Sequence, residues 1–125
     1  MIQFTIPIDP VTKKNSQQIK INHKTGKRYV SPSKQYELYE SQSGWFVPRP
    51  ANPIDIPVNI QCKFYLGTRR RADLTNLLEA IDDILVKYGV IADDNYLIAA
   101  AHDGSRAYYD KQNPRTEIHI TRLEE

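Results

Sequence analysis

The chain has 125 residues, 40% of them hydrophobic and 26% charged, with a formal net charge of +2. That balance suits one soluble domain over residues 1–125 and excludes a disordered or collagen-like chain. One cysteine, Cys62, excludes an intramolecular disulfide framework, and the three scattered histidines leave no Cys/His zinc spacing.

The longest unbroken apolar run, LIAAA at 97–101, is far too short to span a membrane. The N-terminus lacks a basic stretch followed by an apolar block, so no secretory leader is read and a cytoplasmic protein is expected. The charge is unevenly placed. Residues 1–36 carry seven basic side chains against Asp9 alone, a balance of +6. Residues 73–94 carry six carboxylates against Lys87 alone, a balance of −5. A basic arm beside an acidic cluster suits a protein that binds a polyanion and holds a cation; a solvated surface with chance asymmetry is the plain alternative.

In chain order, IQFTIPID (2–9) alternates, with Ile2, Phe4, Ile6 and Ile8 on one face. It predicts a half-buried strand, and Pro7 points to a sheet edge or a strand end. PVTKKNS (10–16) is a loop. QQIKINHKTGKRYV (17–30) predicts a hairpin turning near His23–Gly26. SPSKQYELYESQSGWF (31–46) predicts a helix capped by Ser31 or Ser33, although its apolar spacing is imperfect. VPRPANPIDIP (47–57), with four prolines, is a connector.

VNIQCKFYLG (58–67) alternates most cleanly and predicts a strand. Leu74, Leu77, Leu78, Ile81, Ile84, Leu85 and Tyr88 then form one apolar stripe, which predicts a helix ended by Gly89. YLIAAAHDGS (96–105) and RTEIHITRL (115–123) predict two last strands, with the gap between them, which holds Tyr108, Tyr109, Lys111, Asn113 and Pro114, as a turn or loop. The order implies an α+β domain: a mixed, mainly antiparallel sheet packed with two main helices.

Asp73 stands between a strong strand and a strong helix, where a side chain is rigidly held; it serves either chemistry or the helix N-cap. Thr75, Glu79, Asp82 and Val86 fall on the polar side of that helix, with Asp83 nearby. Like charges at i, i+3 and i+4 repel by a few tenths of a kcal/mol per pair, about 0.2–0.5, which a bound cation or solvent offsets. Asp93 and Asp94 follow the helix, so the sequence places them and Asp73 at opposite ends. Arg69, Arg70 and Arg71 offer guanidinium groups suited to phosphates, and Lys13, Lys14 and Asn15 in the first loop extend that surface. Protection of a sheet edge is the competing use of the arginine run.

The stretch RRRADLTNLLEAIDDILVKYGVIADDN (69–95) resembles the RusA family of Holliday junction resolvases. That family shows an arginine-rich strand end, D-x-D-N-L, a further Asp on the helix, a glycine and a paired Asp-Asp. Asp73, Asn76, Leu77, Asp83, Gly89, Asp93 and Asp94 match in order and spacing, and the first strand, the Pro10 loop with Asn15 and the hairpin are also similar.

The resemblance implies a small homodimeric endonuclease, often carried by phages. It would nick paired strands of a four-way DNA junction symmetrically, using Mg²⁺ or Mn²⁺, in recombination and repair. Asp73 and Asp94 match two of the family's essential carboxylates. Two positions depart: Thr75 replaces the second Asp of D-x-D, and Glu79 stands where a lysine is usual. Because Thr75 and Glu79 are one turn apart, the carboxylate is read as moved to Glu79. Asp73, Glu79 and Asp94 are then the expected catalytic metal ligands, and Asp93 either joins them or serves the turn. Arg69 or its neighbours, or Lys87, would replace the missing lysine. No base-reading motif is visible, so recognition by DNA shape is expected. The competing readings are a non-catalytic branched-DNA-binding module of the same fold and a small protein-interaction partner in a phage replication complex.

Overall fold

Strict alternation of apolar and polar residues decides what lies at the centre of the sheet. In the computed structural model, which describes residues 1–13, 18–31 and 33–123, the elements run β1 (Ile2–Ile6), β2 (Gln18–Ile21), β3 (Arg28–Ser31), α1 (Lys34–Ser43), β4 (Val58–Leu66), α2 (Leu74–Lys87), β5 (Ala99–Ala101), β6 (Arg106–Tyr109) and β7 (Arg115–Arg122). The two strands with the longest alternating patterns, β4 and β7, pair antiparallel over eight positions, from Val58 opposite Arg122 to Tyr65 opposite Arg115. Their inward sets, Val58, Ile60, Cys62, Phe64 and Leu66 with Thr116, Ile118 and Ile120, are all buried.

β1 adds antiparallel to the outer side of β7, and β2 and β3 form a separate two-stranded hairpin. Both roles read for Pro7 hold, since β1 ends at Ile6 and lies at the sheet edge. On the far side of β4, β5 pairs parallel with its start and β6 parallel with its end. The sheet is therefore mixed, with its two longest pairings antiparallel.

The strand expected over 96–105 is only Ala99–Ala101, and the region read as a turn or loop begins instead with β6. β6 buries no side chain fully, so it has no apolar alternation to reveal it. The turn between the two short strands is fixed by β4. Asn59 donates from Nδ2 to the Asp103 carbonyl at 3.1 Å and accepts from the Asp103 amide at 2.7 Å. On the outer face Tyr65 stacks on Tyr108 at 4.9 Å between ring centroids, with the Arg115 guanidinium 3.7 Å from the Tyr65 ring centroid. These tyrosines stabilise the sheet itself.

α2 leaves the end of β4 and returns the chain to its start, where β5 joins in parallel: a βαβ crossover. Its fourteen residues span about 21 Å. The stripe Leu77, Ala80, Ile81, Ile84 and Leu85 is buried against the sheet, while Leu74, at the first turn, is partly exposed. Gly89 follows with φ +73°, the left-handed conformation that glycine adopts without steric cost.

α1 is capped by Ser33, whose Oγ accepts from the Tyr36 amide at 3.1 Å. It buries Tyr36, Tyr39 and Ser43 instead of aliphatic residues, which is why its apolar spacing looked imperfect. Lys87 donates to Glu40 at 2.6 Å and the Tyr88 hydroxyl to the Glu40 carbonyl at 2.9 Å, joining α2 to α1. Lys87 is thus engaged between the two helices. Among the described residues no helix is long and apolar enough to cross a membrane.

A Cβ on Gly44 would lie 2.6 Å from the Tyr88 ring, which its hydroxyl bond and the Arg49 guanidinium, 4.8 Å from the ring centroid, hold in place. Gly44 has helical φ, so the conflict is steric alone. Gly44→Ala is predicted to destabilise the fold by about 1–3 kcal/mol. A urea titration checks this: the midpoint falls while the slope stays unchanged.

Candidate metal and nucleic-acid site

The three arginines divide their tasks. Arg70 binds Asp9, with its Nη2 3.0 Å from Oδ1 and its Nη1 3.4 Å from Oδ2. Arg70 also donates to Thr68 Oγ1 at 2.9 Å and to the Pro10 carbonyl, and the Gly67 amide donates to Asp9 at 3.1 Å. Its guanidinium is consumed in pinning the loop after β1. Arg69 lies over the Tyr109 ring, 4.2 Å from the centroid. A guanidinium stacked on a ring keeps N–H groups at its edge for an anion. Arg71 is exposed, and with Arg70 it borders a groove of about 520 Å³ between residues 8–12, α1 and the start of α2. Gln35, Gln42, Thr12 and Thr68 also line that groove; the one carboxylate among its described lining residues, Asp9, is already paired.

From this clamp the loop reaches along α2. Asp9 is fixed beside Gly67, while Lys13 ends 3.9 Å from Asp83, in the second half of the helix. Lys13, read from sequence as part of an open phosphate-binding surface, therefore stands against a carboxylate. Lys14 and Asn15 lie outside the described residues.

Asp73 occupies the N-cap position of α2, yet its side chain makes no capping bond. Its Oδ2 accepts from Asn76 Nδ2 at 3.3 Å, and the residue is exposed. The capping alternative thus lacks its defining bond, and the carboxylate remains accessible. Ten residues further on, about 15 Å of helix rise, is Asp83. Its side chain is 30% exposed. Burial raises its pKa, Lys13 opposes that rise, and the negative charges of Asp94, Glu79 and Asp82 add to it. The charges of Glu79 and Asp94 are thus felt at Asp83, a residue that sequence reasoning matched to the family but did not place among the site residues. Its spacing from Glu79, one helical turn, was the available signal.

Asp93 serves its turn. Its Oδ1 accepts from the Asp94 amide at 2.8 Å and its Oδ2 from Asn95 Nδ2 at 2.7 Å. The Asn95 bond, then the Asp94 amide, hold its pKa below the usual carboxylate range. These bonds fix the backbone that carries Asp94, which is exposed.

The donors fit a hard divalent cation, because they are all carboxylate oxygens. Among the described residues no group of three His, Cys, Asp or Glu side chains is close enough to hold a metal ion. Mg²⁺ does not require such a cage, since one or two carboxylates with water suffice.

Asp82 corrects the expected polar side of α2. It is buried, at 8% exposure, and both oxygens meet His102 Nε2, at 3.0 and 2.9 Å. The histidine comes from just beyond β5, next to Asp103, whose backbone the Asn59 side chain holds. A buried carboxylate is tolerated when paired in this way.

A family model described as endodeoxyribonuclease RusA matches residues 7–121. Comparison with curated proteins gives no match.

The Asp82–His102 pair makes stability depend on pH. The bond to Asp82 raises the His102 pKa against the opposing effect of burial. A group with a raised folded-state pKa stabilises fully below its unfolded value, about 6.5, and loses that contribution as pH rises through the folded value. His102→Gln is therefore predicted to destabilise the protein more at pH 6 than at pH 8.5, as measured by urea unfolding at both values.

Proposed function

The chain belongs to the RusA endodeoxyribonuclease family, and from that premise we propose that it is a metal-dependent, structure-selective endonuclease resolving four-way DNA junctions by paired symmetrical nicks. The observation that carries this reading is the family match over residues 7–121, which takes in the arginine run and the exposed carboxylates of Asp73 and Asp94.

The reaction adds water to phosphorus, breaks a P–O bond and gives the departing oxygen a proton. One or two of Asp73, Glu79, Asp83 and Asp94, completed by water, would hold Mg²⁺ or Mn²⁺. Such an ion, when bound, lowers the pKa of water and neutralises charge on the departing oxygen. The chain's own groups orient the strand. Arg69 and Arg71 meet phosphates, Arg70 fixes the loop that carries Lys13, and Asp93 fixes Asp94. Phosphate contacts position the duplex without reading sequence, so selectivity rests on the branched shape. A two-fold homodimer would present two such sites to two equivalent strands. A role in recombination and repair inside the cell, in a phage setting, follows from the same reading.

The departures at Thr75 and Glu79 favour a second reading, a branched-DNA-binding module without catalysis. A labelled synthetic four-way junction separates the two. Wild type is expected to make symmetrical nicks in Mg²⁺ or Mn²⁺. Asp94→Asn and Glu79→Gln are each expected to lose at least about 100-fold in rate while retaining binding, the scale of several kcal/mol of charge stabilisation. Binding without nicks in either metal supports the second reading. Full activity in Glu79→Gln removes position 79 from the site.

A further inference from the structure

The groove beside the Arg70–Asp9 clamp offers more than a phosphate contact. It holds about 520 Å³, within the range of small-molecule sites. Tyr39 from α1 and Leu77 from α2, both buried, line it, so its inner surface is largely apolar. Leu38 on α1 also lines it and is 57% exposed. Gln35 and Gln42 stand on either side of Leu38, two turns apart on the same face of α1. The charge of the groove is one-sided. Asp9 is spent on Arg70 and the Gly67 amide, while Arg71 is exposed and, among the described residues, engaged in no ion pair.

We propose that this groove takes one unpaired nucleotide of branched DNA, with its phosphate on Arg71, its base against Leu38, and the Gln35 and Gln42 amides at the edge of the base. The inference rests on the nuclease reading above. The parts match the ligand. A base inside a duplex shows only its edges in the grooves, and its faces are covered by its neighbours. An apolar groove therefore suits a base that has left the stack. Each glutamine amide carries donors and an acceptor, the two functions that a base edge presents. The guanidinium supplies the phosphate contact. A base leaves the stack at least cost where pairing is already interrupted, as at a branch. The groove thus favours a branched molecule over a linear duplex of the same length. A protein segment would also cover Leu38, but the free guanidinium at the rim and the lack of an unpaired carboxylate among the described lining residues favour the nucleotide.

The test compares a synthetic four-way junction with a linear duplex of equal length, in EDTA so that binding is read without cleavage. The full chain is used as wild type, Leu38→Asn and Leu38→Met, and urea midpoints check that the exposed position leaves the fold intact. Leu38→Asn is expected to weaken junction binding about fivefold, the lower end of what one packed base contributes, and to leave duplex binding unchanged. Leu38→Met, which stays apolar, is expected to match wild type on both. An equal loss on both ligands, or no loss on either, overturns the proposal while leaving the nuclease reading intact. Wild type that binds no junction overturns both.

A fluorescent adenine analogue whose emission is quenched by stacking gives the second readout. It is placed in turn at each position flanking the branch. Saturating wild type is expected to raise the emission at one of these positions, and Leu38→Asn is expected to lose that rise. Emission that stays at the free-junction level at every position in wild type overturns the proposal, as does a rise that Leu38→Asn retains in full. A change in the oligomeric state of Leu38→Asn, read by sedimentation, assigns the groove to a second copy of the chain and also overturns it.

Discussion

Arg70 grips Asp9 through two N–H groups, donates to the Pro10 carbonyl, and shares Asp9 with the backbone amide of Gly67. This clamp joins the end of β4 to the loop after β1, and most of the charged surface follows from it. Because β1 and β4 both flank β7 antiparallel, their C-terminal ends lie at the same end of the sheet. The clamp closes that end and directs residues 10–13 along α2. Without it Lys13 would have no fixed relation to Asp83. The arginine of the run that looks most central in sequence thus acts within the protein, leaving Arg69 and Arg71 as its outward-facing members.

α2 meets two chemical demands on opposite sides. Its apolar stripe seals the sheet, and its other side carries Glu79 and Asp83 one turn apart. Asp82 lies at the border beside Leu78 and Leu85 and is drawn inward because His102 is there to receive it. Neighbouring residues on a helix point about 100° apart, so one aspartate enters the core and the next stays partly exposed. The same division recurs after the helix, where Asp93 is spent on the turn and Asp94 is left exposed.

What was legible in the sequence follows from how each element is held. β4, β7 and α2 bury a regular face, and regular burial writes a regular pattern. The hairpin was legible through its turn residues, and Gly89 through its place after the last apolar position. β6 was not, because an edge strand that pairs mainly by backbone has no inward set to display. The burial of Asp82 was not legible either: its partner is twenty residues away and arrives only through the β4–β5 pairing. The Lys13–Asp83 and Arg70–Asp9 pairs are likewise products of tertiary closure. The family motif did identify the segment carrying the carboxylates, and its match now covers residues 7–121. The role of each acid within that segment depends on packing that spacing alone does not encode.

The central proposal is that a divalent ion binds at one or two of the carboxylates Glu79, Asp83 and Asp94, completed by water. Iron-mediated backbone cleavage tests it most directly. Fe²⁺ is placed in the site in the absence of DNA, ascorbate and peroxide are added, and the fragments are mapped. Cuts concentrated around residues 79–83 and 93–95, suppressed by excess Mg²⁺, are predicted. Cleavage that spares both segments, or that Mg²⁺ does not suppress, would contradict the account.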